Sequence, residues 1–271
     1  MELLIVIVGW TVATAAVLLG LPLQALLWLV CRPFDPNLVV PGQFLRKIGV
    51  LFGHCYPRWR FRLEGAWPAA PGPYVVVANH QSLLDIVVLS HLPREMKWVG
   101  KEELFRIPWI GLMLRLTGDI AVRRGDAESG GEAVARAKAY LSRGMSVMIF
   151  PEGTRSRDAR LLPFKKGAFR LAIDAGVPVL PIAISGTAAG LRKGGLAVAP
   201  CDAVGRILAP IPTAGLTQAD ALALRDRVRA AFVAALPPEL TAPAPARAAP
   251  APAPVAAPSP ALDEPEPPEA A

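Results

Sequence analysis

The chain has 271 residues, 53% of them hydrophobic and 19% charged, with a formal net charge of +7, a mean hydropathy of +0.39 and a pI near 9.7. Three scattered cysteines, Cys31, Cys55 and Cys201, exclude a disulfide framework and a metal site of paired CxxC type. The basic balance favours an anionic bilayer surface or phosphorylated substrates as partners. No helix-turn-helix, zinc-finger or RNA-binding aromatic signature occurs, so nucleic acid is set aside.

The apolar excess begins at the N-terminus, where Leu3 to Cys31 contains no charged residue. A helix of that length spans ~43 Å against the ~30 Å hydrocarbon core, so residues 1–31 are predicted to lie in or on a membrane. Gly20-Leu21-Pro22 interrupts the run. Two arrangements fit it: one tilted, kinked span, or two half-length helices forming a re-entrant hairpin. A cleaved signal peptide ranks below an anchor, because Glu2 stands where a basic n-region is expected.

Arg32, Arg46, Lys47, Arg58, Arg60 and Arg62 follow closely. They mark 32–66 as a basic interfacial connector and place the remainder in the cytoplasm, at the cell inner membrane. Strands are then predicted at 74–78, 97–100, 119–122, 146–150 and 179–184, and helices at 82–91, 102–115, 130–142, 167–175 and 217–235. This alternation predicts an α/β fold over 67–236, a mainly parallel sheet covered by helices on both faces. The stretch 237–271 holds 12 of the 29 prolines and a net charge of −4, the composition of a disordered, acidic Pro/Ala-rich tail.

Two segments carry chemistry, each where a β-branched apolar run ends, the place where open α/β sheets hold ligands. In Asn79-His80-Gln81-Ser82-Leu83-Leu84-Asp85, a helix starting at Ser82 leaves His80 in the preceding turn, within reach of Asp85. A carboxylate on one imidazole nitrogen fixes the tautomer, and the other nitrogen can then take a proton from a hydroxyl. The plainer role for Asp85 is a helix-start capping box with Ser82, and the two roles are compatible. The second segment, Phe150-Pro151-Glu152-Gly153-Thr154-Arg155-Ser156, combines a flexible glycine, exposed amides, hydroxyls and a guanidinium able to grip phosphate through paired hydrogen bonds. Its plainer reading is a polar loop in which Glu152 and Arg155 pair with each other.

His80-x4-Asp85 followed by Phe150 to Ser156 resembles the glycerolipid acyltransferases, especially the 1-acylglycerol-3-phosphate acyltransferase family. Gly118-Asp119-Ile120-Ala121-Val122-Arg123-Arg124 resembles its third block, and Val177-Pro178-Val179-Leu180-Pro181-Ile182 its proline-punctuated fourth. The resemblance implies that His80 activates the acceptor hydroxyl and that Asp85 orients it. It further implies that Arg124, Glu152, Gly153, Thr154 and Arg155 bind the phosphoglycerol head of a lysophospholipid. The acyl donor it implies is acyl-coenzyme A or acyl carrier protein, with no metal or redox cofactor. Ala121 and Arg123 depart from the family's usual Phe and acid or Asn, which leaves open another lysolipid acceptor such as a lyso-ornithine lipid. A serine hydrolase is disfavoured, since no Gly-x-Ser-x-Gly elbow occurs. A non-catalytic membrane scaffold is the remaining alternative class.

Overall fold

The apolar runs that lead into the two motifs become adjacent parallel strands. In the computed structural model, which describes residues 2–242 apart from 71, 192, 193 and 196, two helices come first, α1 (Glu2–Cys31) and α2 (Val39–His54). The order then runs β1 (Trp59–Glu64), β2 (Val75–Ala78), α3 (Leu84–Ser90), β3 (Lys97–Lys101), α4 (Glu102–Arg106), α5 (Ile110–Leu116) and β4 (Ile120–Val122). It continues with α6 (Ala127–Leu141), β5 (Val147–Ile149), α7 (Gly167–Ala175), β6 (Val179–Ser185), α8 (Thr187–Gly190), β7 (Cys201–Ile207), α9 (Ala221–Ala235) and α10 (Pro238–Thr241).

One seven-stranded sheet has the order β1-β7-β6-β2-β5-β3-β4, and every neighbouring pair is parallel except β6 and β7. The expected mainly parallel α/β architecture is therefore present. At its centre β2 lies between β5 and β6, with Val75 opposite both Val147 and Val179. All four β2 residues are fully buried, as expected of a strand covered on both faces. Their period of two sends Val75 and Val77 into a core with α6, α7 and α9. Val76 and Ala78 face a second core with α3, Tyr56 and Trp59. Because β2 to β6 share one direction, the segments after Ala78, Val122, Ile149 and Ser185 all emerge at the same edge.

Several elements differ from expectation. The helix expected over 102–115 is broken between α4 and α5: Pro108 lacks an amide donor, Ile107 before it is extended, and Trp109 adopts φ +63°. The stretch 32–66, expected as a connector, contains α2 and the edge strand β1, and β7 pairs with that strand along its whole length. Within it Arg46 is no surface charge. Its guanidinium donates to both oxygens of Asp119 at 2.8 Å and sits 3.6 Å from Glu95, while Lys97 Nζ donates to the Thr117 and Leu38 carbonyls. Burial in this cluster pushes the Glu95 carboxyl up to about 7. The cluster ties α2 to the sheet.

The apolar N-terminal segment is a single helix that continues through Pro22, so its partner in the hairpin is α2 rather than its own second half. At Gly20 a Cβ would come within 2.7 Å of Ile48, so the glycine allows α2 to approach closely. Gln24, buried in this apolar helix, donates to the Pro41 and Met113 carbonyls and so joins α1 to both α2 and α5. Among the described residues, α1 is the one helix long and apolar enough to cross a membrane. Of the expected tail, residues 237–242 are ordered into α10, and Leu240 accepts a backbone hydrogen bond from Leu161. Residues 243–271 lie outside the described part.

Candidate active site

At the carboxyl edge the chain leaves β2 through Asn79, whose side chain both donates to and accepts from the backbone of Ile184 at the end of β6. The loop is pinned before His80 is reached. His80 Nδ1 then lies 2.7 Å from Asp85 Oδ2, and its ring stacks on Phe150 with centroids 3.8 Å apart. The side chain keeps 13% exposure, enough to present Nε2 to an incoming group. The two residues are thus brought together at this edge.

Asp85 is fully buried and its oxygens have more than one donor. Oδ2 also accepts from the amides of Gln81 at 2.7 Å and Ser82 at 2.9 Å, and Oδ1 accepts from the Thr187 hydroxyl at 2.5 Å. Reaching back to Ser82 N is half of a capping box; the other half is missing, because Ser82 Oγ takes the amide of Leu84 instead. Asp85 thus contacts His80 while capping only the Ser82 end of the helix start. Thr187 went unnoticed in the sequence, although it lies two residues past β6 at the same edge as the motifs, which is the signal that could have found it.

The second motif is joined to the first through the His80 backbone. The His80 amide donates to Glu152 Oε1 at 2.9 Å, and the Ser156 amide donates to the His80 carbonyl at 2.8 Å. Glu152 does not pair with Arg155 in this network: it is buried, and its other oxygen accepts from Leu162 N at 3.3 Å. Glu152, expected at the head group, braces the His80 loop through these two amides. Burial, with the nearby Asp85 charge adding to it, pushes its carboxyl up to about 8 against the pull of the two amides.

A pH dependence follows from this shift. With a folded value near 8 and an ordinary value of ~4.3, the native chain keeps a proton that the unfolded chain releases between those limits, so this group's contribution to stability falls as pH rises. Glu152→Gln is expected to remove that slope. Unfolding of the two chains compared between about pH 5.5 and 8 should show their difference moving in favour of the variant by roughly 1–3 kcal/mol, and parallel profiles would contradict the brace. Glu95 is common to both chains and cancels.

Beside this brace lie the cations. Gly153 has φ +71°, a conformation that favours glycine, and lies under the side chain of Lys165. Arg124 follows β4, and its pKa is lowered first by partial burial and further by the positive field of Arg155, against the pull of Glu103. Arg155 is thus near enough for its charge to act on Arg124. Arg123 points elsewhere, paired with Glu102 at 2.8 Å and Asp126 at 2.7 Å. An apolar groove of about 510 Å³ runs between the N-terminal helices, α3 and α5. Trp10, Val17, Ile48 and Phe52 of the hairpin, Met113 of α5, and Leu83 and Ile86 at the start of α3 line it.

A His–Asp pair at the carboxyl edge of a parallel sheet defines an acyltransferase-type α/β domain, and the Acyltransferase family model matches residues 60–185. The human 1-acyl-sn-glycerol-3-phosphate acyltransferase alpha is 41% identical over 198 residues, covering 71% of this chain and 68% of that one. A chloroplastic 1-acyl-sn-glycerol-3-phosphate acyltransferase of Brassica napus is 42% identical over 134 residues, 49% of this chain but 39% of the relative. The chain spans about half or less of the length of the plant and algal relatives it matches. The crystal structure of the 1-acyl-sn-glycerophosphate acyltransferase from Thermotoga maritima superposes with a TM-score of 0.70 at 27% identity, covering 86% of this chain and 93% of that one. This chain belongs to the 1-acyl-sn-glycerol-3-phosphate acyltransferase family.

Proposed function

We propose that the chain is an O-acyltransferase that moves a fatty acyl group from a thioester to the free hydroxyl of 1-acylglycerol-3-phosphate, giving phosphatidic acid. The observation that carries this reading is the His80–Asp85 contact of 2.7 Å, in a loop tied by backbone hydrogen bonds to the Glu152–Ser156 motif that contains Arg155. His80 Nε2 takes the hydroxyl proton as the acceptor oxygen attacks the thioester carbonyl, and Asp85 holds the ring in the required tautomer. Collapse of the adduct breaks the carbon–sulfur bond, and the imidazolium returns its proton to the departing sulfur. An ester and a free thiol result, with no enzyme nucleophile and no cofactor.

Arg124, Arg155, Thr154 and the amides around Gly153 hold the phosphate, and the groove along α3 accommodates an acyl chain. The donor is acyl-coenzyme A or acyl carrier protein, which arrives from the cytoplasm. The acceptor stays in the leaflet, so α1 anchors the chain in the cell inner membrane with the sheet domain on the cytoplasmic side. The basic residues that follow α1 support that orientation.

The test is thiol release from each donor by membranes carrying the chain, with and without lysophosphatidate, and with lyso-ornithine lipid as the alternative acceptor. Release that depends on lysophosphatidate supports the reading; release with the ornithine lipid alone replaces the acceptor, and no release with either overturns it. Arg155→Ala is expected to raise the acceptor KM by roughly tenfold or more, the scale of a lost charge-assisted hydrogen bond. Slower turnover at unchanged KM would remove Arg155 from the clamp.

A further inference from the structure

The corner between α4 and α5 presents an apolar surface that neither the core nor the dyad uses. Leu104, Ile107, Trp109, Ile110 and Leu112 are each 41–49% exposed, although Phe105 and Met113 of the same two helices are buried. A contiguous exposed patch of this kind on a folded domain marks a contact surface. Trp109 is held outward by a backbone at φ +63°, a conformation that a bulky residue keeps only where its surroundings impose it. The patch is continuous with the membrane helix: α5 packs on α1 through Met113, which lies 3.7 Å from the Cβ position of Gly20 and accepts from Gln24. Charged residues border it, Lys101 and Arg106 at 43% and 64% side-chain exposure.

We infer, on the basis of the proposed function, that the α4–α5 corner is a second membrane-contacting element, dipping its apolar side into the acyl region of the leaflet that holds α1. Trp109 and Ile110 also line the groove, so a corner seated in the leaflet opens the groove sideways to hydrocarbon. A lysolipid then enters by lateral diffusion, with its chain never crossing water and its phosphate remaining at the depth of Arg124 and Arg155. An aromatic residue at such a boundary with basic neighbours suits the interface between headgroups and acyl chains.

Two measurements on the full chain test this. A Leu112→Cys chain carrying an environment-sensitive dye, with the signal of the identically labelled unsubstituted chain subtracted, is reconstituted into phosphatidylcholine–phosphatidylglycerol vesicles. The dye is expected to shift to the blue and to be quenched by lipids spin-labelled high on the acyl chain. A dye that reports water overturns the inference, as does protection that scales with protein density at constant lipid, the mark of a second copy of the chain on this face. Independently, Leu104→Glu, Ile107→Glu and Leu112→Glu combined, none of them lining the groove, should slow transfer to vesicle-embedded lysophosphatidate about tenfold or more. Transfer to a short-chain acceptor dissolved as monomers should stay within about twofold. Equal effects on both acceptors also overturn the inference. Should the unsubstituted chain transfer to neither, the proposed function fails, while the dye still decides the fate of the corner.

Discussion

Replacing His80 with alanine is expected to slow acyl transfer by roughly 10²–10⁴-fold, the usual contribution of a positioned general base, while leaving the chain folded. The reason for expecting separation of the two effects lies in how the loop is held. The His80 amide and carbonyl bond to Glu152 and Ser156, and both bonds belong to the backbone, so alanine keeps them. Asp85 loses one partner but keeps the amides of Gln81 and Ser82 and the Thr187 hydroxyl, so no buried carboxylate is orphaned. What is lost from the fold is mainly the stacking on Phe150, on the order of 0.5–1.5 kcal/mol for such a ring pair. The measurement is kcat for donor thiol release beside a thermal unfolding control. A rate within about tenfold of the unsubstituted chain, with folding intact, would place the base elsewhere.

How much of this was legible from the sequence depends on where each strand lies. The five strands expected between 74 and 184 run parallel, and the central ones, β2, β5 and β6, are buried almost throughout and read as unbroken apolar runs. β1 and β7 are different: Trp59, Phe61 and Leu63 alternate with arginines, and β7 alternates buried and exposed positions. That alternation was present in the sequence, but beside an apolar helix the arginines read as juxtamembrane charge. Arg46 could not be read at all, because its partner Asp119 lies 73 residues away.

The site divides in the same manner. His80 and Asp85 are five positions apart on a strand–turn–helix, so local geometry brings them together and the spacing discloses it. Glu152 belongs to a motif whose composition suggests anion binding, and only tertiary burial reveals that its oxygens serve the His80 and Leu162 amides. Thr187 reaches Asp85 across 102 residues and carries no local signature beyond its place after β6. Pro108, by contrast, was visible, and the break it imposes between α4 and α5 is local chemistry that a continuous helix over 102–115 overlooked.

The second large effect is expected at Asp85, where two substitutions separate its two roles. In Asp85→Asn the side-chain oxygen can occupy the Oδ2 position, which receives His80 Nδ1 and the Gln81 and Ser82 amides. The amide nitrogen then faces Thr187 Oγ1, which can turn to accept and donate instead to Gln81 Oε1, 3.4 Å away. The fold survives with its donors satisfied, but the charge that stabilises the imidazolium formed during transfer is gone, and kcat should fall by roughly 10²–10⁴-fold. Asp85→Ala removes the acceptor altogether and leaves the buried amides of Gln81 and Ser82 without it, each costing about 1–3 kcal/mol. Alanine should therefore lower both the unfolding midpoint and the rate, and asparagine chiefly the rate. If the asparagine chain turned over at nearly the normal rate, the negative charge would have no part in the chemistry. Asp85 would then be only the residue that starts α3, and His80 would act without an orienting carboxylate.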